Sequence, residues 1–365
     1  MGESARAGDR ITEVAGIEVG QHHFIDADAK VATVDVDGAG WATGTTIVRI
    51  TAPNAVCAVD VRGGGPGTRE TDLLDPSNTV QTAHAIVLTG GSAYGLAAAD
   101  GVMGGLEAAG VGLPMDERGH VVPIVPAAVI FDLPVGDWTS RPDADFGRRA
   151  LAGSSGEVAI GSVGAGAGAR AGAVKGGVGT ASRTIADGPA AGITVGALMV
   201  ANPVGSVIDP ATGLPWGAGA SELGYHGLQQ PSPGDVAGFA DLVAKQTVLN
   251  TTIGVVATDA TLDPASTKRV AMAAHDGLAR AIVPAHSPLD GDTIFAVATG
   301  RLHPEPPPLV PRGMNPDVAV VAEVGRVAAV VVARAIVGAV LAATSVAGIP
   351  AYRDVVPSAF TSRAE

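Results

Sequence analysis

Asn250-Thr251-Thr252-Ile253-Gly254-Val255-Val256-Ala257-Thr258 reads as a buried strand with a polar mouth. The run behind the mouth is apolar and β-branched, as in a strand covered on both faces. A threonine there is a nucleophile only if something takes its proton, and no histidine stands close by in the sequence. Cutting the chain before Thr251 removes the need for a partner. The new α-amine, with a pKa of roughly 7.7–8.0, is itself a base near neutral pH. The stretch therefore predicts a self-cleaving amide hydrolase, cut between Asn250 and Thr251, with Thr251 as nucleophile. A Thr-Thr pair also has ordinary turn and strand uses, so the prediction leans on the segments around it. The triplet also fits the glycosylation pattern N-x-[ST]. That reading is set aside because Met1-Gly2-Glu3-Ser4-Ala5-Arg6 lacks the apolar core of a signal peptide.

Composition sets the background. Of 365 residues, 47% are apolar but only 3% aromatic, so Ala, Val, Gly, Ile and Leu must fill the core. The 51 glycines are about twice the usual ~7% and point to close backbone packing. A net charge of −13 argues against a nucleic-acid partner. Cys57 is the sole cysteine. It excludes an intramolecular disulfide, reads as a small buried hydrophobe and suits a cytoplasmic location. The eight histidines show no metal-binding spacing. His275 and Asp276, on a helical stretch, are taken as structural or supporting. Gly164–Gly168 offers no G-x-G-x-x-G, and Gly63-Gly64-Gly65-Pro66-Gly67 lacks the Lys-Ser/Thr of a phosphate loop. No metal, cofactor or membrane is expected. The apolar run from Val318 to Leu341 carries Glu323, Arg326 and Arg334 at helical spacing, which favours a buried or interface helix over a membrane span. Its apolar surface suggests a homo-oligomer.

Along the chain, residues 1–10 read as a disordered lead and 11–365 as a single domain. Strands are expected at Ile11–Gly20 (or a hairpin), Ala42–Ile50, Val56–Val61, Ala85–Thr89, Val121–Phe131, Ile193–Val200, Thr251–Ala257 and Ile294–Thr299. Helices are expected at Leu96–Ala109, Phe146–Leu151, Asp235–Val248 with Asp235 as cap, and Asp263 to about Ile282, where Asp263 caps and Pro264 opens the first turn. Residues 211–234 read as a long exposed loop and 303–316, with six prolines, as a linker. Strands buried on both faces, without strict β-α alternation, predict an α/β fold of stacked sheets covered by helices.

Four segments carry polar groups at strand ends. Lys175 sits among Gly and Val; it either snorkels from a turn or stands as a cation that keeps the Thr251 amine unprotonated. Asn202, in Ala201-Asn202-Pro203-Val204-Gly205, forms a turn or donates to an oxyanion. Asp290 and Asp292 flank Gly291, either as a turn or as a pair that orients the Thr251 hydroxyl and amine. Gly90-Gly91-Ser92-Ala93-Tyr94-Gly95 is a strand-to-helix turn or a substrate-binding wall using Gly91, Ser92 and Tyr94. It is no nucleophile elbow, since Tyr94 stands where G-x-S-x-G needs its last glycine.

Together with Asn250-Thr251-Thr252-Ile253 and Lys175-Gly176-Gly177-Val178-Gly179-Thr180, these segments resemble the L-aminopeptidase/D-esterase family, which includes β-peptidyl aminopeptidases and nylon-oligomer hydrolases. The resemblance runs from about Ile11 to Phe360. It implies a four-layer α/β/β/α sandwich of the N-terminal-nucleophile hydrolase kind. It also implies self-cleavage into chains 1–250 and 251–365 and assembly as a tetramer or larger. Thr251 would be the nucleophile, Asn202 the oxyanion donor and Lys175 a support, with Tyr94 in the cleft. Asp290 and Asp292 match the nylon-oligomer type; β-aminopeptidases resemble Ser-x-Glu there, which turns the expectation toward the threonine subtype. The expected substrate is a small amide or peptide. The competing readings are an acyltransferase of the ornithine-acetyltransferase type, and a non-catalytic small-molecule binder on the same fold.

Overall fold

Alternation along Ile253-Gly254-Val255-Val256-Ala257 explains why this stretch carries no polar face. Ile253, Val255 and Ala257 enter one core cluster, while Val256 enters another on the opposite side. The computed structural model describes residues 3–4, 8–242, 250–303, 310 and 313–361. Its main strands are β1 (Ile17–Ile25), β2 (Ala42–Ile50), β3 (Val56–Val61), β4 (Thr68–Arg69), β5 (Ala85–Thr89), β6 (Ala127–Val129), β7 (Gly177–Thr184), β8 (Thr194–Ala201), β9 (Ile253–Ala260) and β10 (Thr293–Leu302). They form two five-stranded sheets, ordered β7-β8-β9-β10-β3 and β1-β2-β5-β6-β4. In each sheet one pair is parallel, β9 with β10 and β5 with β6, and the remaining pairs are antiparallel.

The sheets share an inner core. Val48, Ile86, Leu88 and Ile130 of one meet Leu198, Val200, Val255 and Phe295 of the other. Helices α1 (Ala98–Ala108) and α2 (Ala144–Ala152) belong with the second sheet, whose outer residues Ile47 and Val87 pack with Val102, Leu106 and Ala150. Helices α3 (Pro264–Ala281) and α4 (Val318–Leu341) cover the first sheet through Val270, Ala274, Val327 and Val331. This is the expected four-layer arrangement. Glycine makes the outer contact close: a Cβ on Gly179 of β7 would stand 2.0 Å from the Ala335 carbonyl oxygen of α4.

Helix α4 is long and apolar enough to cross a membrane by length and composition, yet most of it is buried within this chain. Arg326 pairs with Glu323, and Arg334 pairs with Glu222 at 2.7 Å and lies over the Tyr225 ring. The helix thus spends its apolar surface inside the protomer, which removes the ground on which it suggested an oligomer. Cys57 is buried, and burial pushes its thiol up to about 12, as a structural cysteine requires.

Several boundaries differ from the sequence reading. Of the supposed lead, Glu3–Ser4 pair with Ala159–Ile160, and Asp9 accepts from the Ser182 N–H and the Tyr225 hydroxyl. Ile11–Glu13 is a single 3-10 turn, and extended chain begins at Ile17. The Val121–Phe131 run is split into two short strands with Pro123 and Pro126 between them. The helix expected at Asp235–Val248 spans Pro233–Ala240. Ser232 caps it, while Asp235 binds Ser358; residues 243–249 lie outside the described ones. Within 211–234, Leu223–His226 is a short helix, and Ala218 and Leu228 are buried. Most of the 303–316 segment also lies outside the described residues.

Candidate active site

Strand direction assembles the site. β8 runs antiparallel to β9, with Val200 opposite Ile253, so the end of β8 lies beside the start of β9. β9 runs parallel to β10, with Ile253 opposite Thr293, so the two strands start together. β3 is antiparallel to β10 and ends there too, with Val61 opposite Thr293. Asn202, Thr251, Asp290, Asp292 and the Gly63–Gly65 turn therefore converge at one edge of one sheet. All four named polar residues are almost fully buried.

At the junction itself, Asn250 and Asp290 form an isolated parallel bridge. The Asn250 N–H donates to the Leu289 carbonyl at 3.1 Å, and the Gly291 N–H donates to the Asn250 carbonyl at 3.0 Å. The Thr251 hydroxyl lies against that same Asn250 oxygen. The Thr251 N–H donates to the main-chain carbonyl of Asn202 at 3.1 Å. The side chain of Asn202 is also fixed: Oδ1 accepts the Arg170 N–H at 2.9 Å, and Nδ2 donates to the Phe131 carbonyl at 3.3 Å, reaching across to the second sheet. An amide nitrogen carries two N–H groups, and one of them is held by Phe131.

The acidic pair serves as a clamp in the uncut chain. Asp292 Oδ1 accepts the Thr252 N–H at 2.8 Å, and Oδ2 faces the N–H and ring Nδ1 of His286 at 3.1 and 2.9 Å. Asp290 accepts the N–H groups of Val204 at 3.0 Å and Ser287 at 3.1 Å. These carboxylates grip the backbone that frames Thr251. The Gly63–Gly65 turn, which fails as a phosphate loop, has a structural use here. Arg62 and Gly63 donate to the Asp292 carbonyl and Gly65 to that of Asp290. A Cβ on Gly63 would stand 2.3 Å from the Asp290 oxygen.

Lys175 does not snorkel. It sits fully buried, in a short hairpin strand (Val174–Lys175) that leads into β7, and Nζ donates to the carbonyls of Gly166 at 2.7 Å and Gly176 at 3.0 Å. Tyr94 is the least embedded of the expected residues. It is more than half exposed, with the Arg141 guanidinium over its ring. Its link to the site runs through Asp132, which accepts the Gly91 N–H at 2.6 Å and the Thr43 hydroxyl at 2.7 Å, next to Phe131. Ser92, with φ of +52°, turns the chain into the helix there. Asp132 and Phe131 escaped the sequence reading because each acts through a contact between segments far apart in the chain, and His286 because it meets Asp292 only across a folded loop.

Comparison with known proteins gives the family. The model of Peptidase family S58 matches residues 9–353. The chain belongs to peptidase family S58. It is 55% identical over 358 residues to an uncharacterized aminopeptidase of Mycobacterium leprae, covering 96% of this chain and 95% of that one. A 6-aminohexanoate-oligomer endohydrolase of Kocuria sp. is 32% identical over 295 residues, covering 79% and 74%. Among solved structures, a Burkholderia sp. beta-aminopeptidase is 25% identical with a TM-score of 0.67, covering 97% of this chain and 92% of that one. The L-aminopeptidase D-Ala-esterase/amidase of Ochrobactrum anthropi, described as a variant of the Ntn hydrolase fold, superposes with a TM-score of 0.68 at 22% identity, covering 99% and 93%. This S58 chain is a hydrolase of peptide bonds on that fold.

Proposed function

We propose that the S58 chain cuts itself before Thr251 and then hydrolyses small amides or peptides through an acyl-enzyme on that residue. One observation carries the reading: the Thr251 hydroxyl and the Gly291 N–H meet on the carbonyl oxygen of the Asn250–Thr251 peptide. The first is an attacking group held at its target. The second is a donor on the oxygen that gains charge. Attack of Oγ on the Asn250 carbonyl carbon, with departure and protonation of the Thr251 nitrogen, gives an ester. Water then hydrolyses the ester, freeing the Asn250 carboxylate and the Thr251 hydroxyl beside the α-amine already released.

In the mature enzyme the amine takes the hydroxyl proton and returns it to the leaving amine of the substrate. The Asn202 carbonyl, which accepts the Thr251 N–H at 3.1 Å in the uncut chain, remains to orient that amine. The side-chain amide of Asn202 stabilises the oxyanion. Lys175 supplies positive charge that favours the neutral amine. Tyr94, Gly91 and Ser92 form one wall of the cleft. The names of relatives point to aminoacyl amides or short amide oligomers as substrates. Thr251→Ala tests the scheme: a single uncut chain without hydrolysis is expected, and a cut or active variant overturns it.

A further inference from the structure

We infer that His286 is a positioning residue for this reaction, acting through Asp292. The inference rests on the Thr251 reading above. Asp292 joins two loops with its two oxygens, one on the N–H of Thr252 at 2.8 Å and the other on His286. The second oxygen faces both the main-chain N–H and the ring Nδ1 of His286. A carboxylate oxygen accepts, so Nδ1 carries the proton and the ring is a two-point brace with its N–H.

The rest of the ring is fixed by packing. His275, fully buried on α3, meets it edge to face with centroids 4.9 Å apart. His275 is held in turn by its Nε2 donating to the Asp60 carbonyl at 3.1 Å. His286 Nε2 is buried and bonds to no described protein atom, so among the described residues the Nδ1 bond to Asp292 is the ring's one polar contact. His286 also has φ of +55°, the left-handed region in which Asn, Asp and His are enriched. Backbone and ring together deliver a donor to Asp292, and Asp292 fixes the N–H one residue after the nucleophile.

Two substitutions separate donor from backbone. His286→Asn keeps a side-chain N–H near the Nδ1 position and tolerates the positive φ. His286→Gly tolerates the φ even better and has no donor. Self-cleavage followed by intact mass is the first readout, because it assumes no substrate. Turnover of L-alanine p-nitroanilide is the second.

The expected result is that His286→Asn stays within about fivefold of the parent in both. His286→Gly should lose roughly 10- to 100-fold in self-cleavage rate and in kcat, with KM little changed, the size of loss typical when a partner that orients an active group is removed. The double variant His286→Gly/Asp292→Asn should be no slower than Asp292→Asn alone, since both act on one contact. Equal rates for the Asn and Gly variants, or additive losses in the double variant, would overturn the assignment. Those outcomes leave the nucleophile untouched: Thr251→Ala, run alongside, falls silent if Thr251 is the nucleophile and stays active if it is not.

Discussion

At Thr251 the chemistry depends on a gap one methyl group wide. A Cβ on Gly291 would lie 2.8 Å from the Thr251 Oγ and 2.8 Å from the Gly65 carbonyl oxygen. Gly291→Ala must therefore displace the hydroxyl or the N–H that holds the Asn250 carbonyl. Self-cleavage is expected to slow at least tenfold, a barrier increase of about 1.4 kcal/mol, read as persistence of the full-length chain over time. Lys175 gives a second residue-scale prediction. Lys175→Met removes a buried positive charge, so the Thr251 amine should hold its proton to higher pH. The acid limb of kcat/KM should then move alkaline, and an unmoved limb would show that Lys175 is only structural. The convergence of Thr251, Asn202, Asp290 and Asp292 was legible because each is a polar residue set against an apolar strand. His286 was not. Its partner Asp292 lies six residues away across a folded loop, and nothing in His286-Ser287-Pro288 marks a left-handed backbone.

Among the elements, α3 carries a pH-sensitive contact. Burial, more than any neighbour, depresses His275 to about 4, and the adjacent His286 adds to the effect. An unfolded chain binds a proton there at about 6.5. Between those values the unfolded state holds more protons, so stability falls as pH drops through this window and is restored above it. Tm should therefore decline from pH 6.5 toward 4, and the decline should be shallower in His275→Phe; equal slopes would remove His275 as the cause. Strands such as β2, β3, β5 and β8 were legible from their apolar runs, and α3 from Asp263-Pro264. The first turn at Ile11–Glu13 was misread because it was joined to Ile17-Glu18-Val19, whose side chains do alternate, although Ile11 and Val14 stand three residues apart. Ile11 and Val14 are in fact buried at the foot of the sandwich, with the Ile11 N–H on the Thr180 hydroxyl. Short pieces such as Thr68–Arg69 carry too few residues for any period to show.

For the molecule as a whole, the sandwich accounts for the composition. A core with few aromatics closes because glycines let helix backbone approach strand backbone, and the second sheet on one side and helices α3 and α4 on the other bury both faces of β9. The same layering brings the ends of β3 and β8 and the starts of β9 and β10 to one edge, where a chain break before Thr251 would leave its amine beside the Asn202 carbonyl. The break is the central claim, and intact-mass analysis of freshly purified, active protein tests it most directly. Two polypeptides are predicted, residues 1–250 and 251–365, the smaller beginning with a free Thr251. Full activity in a single uncut polypeptide of 365 residues would contradict the account.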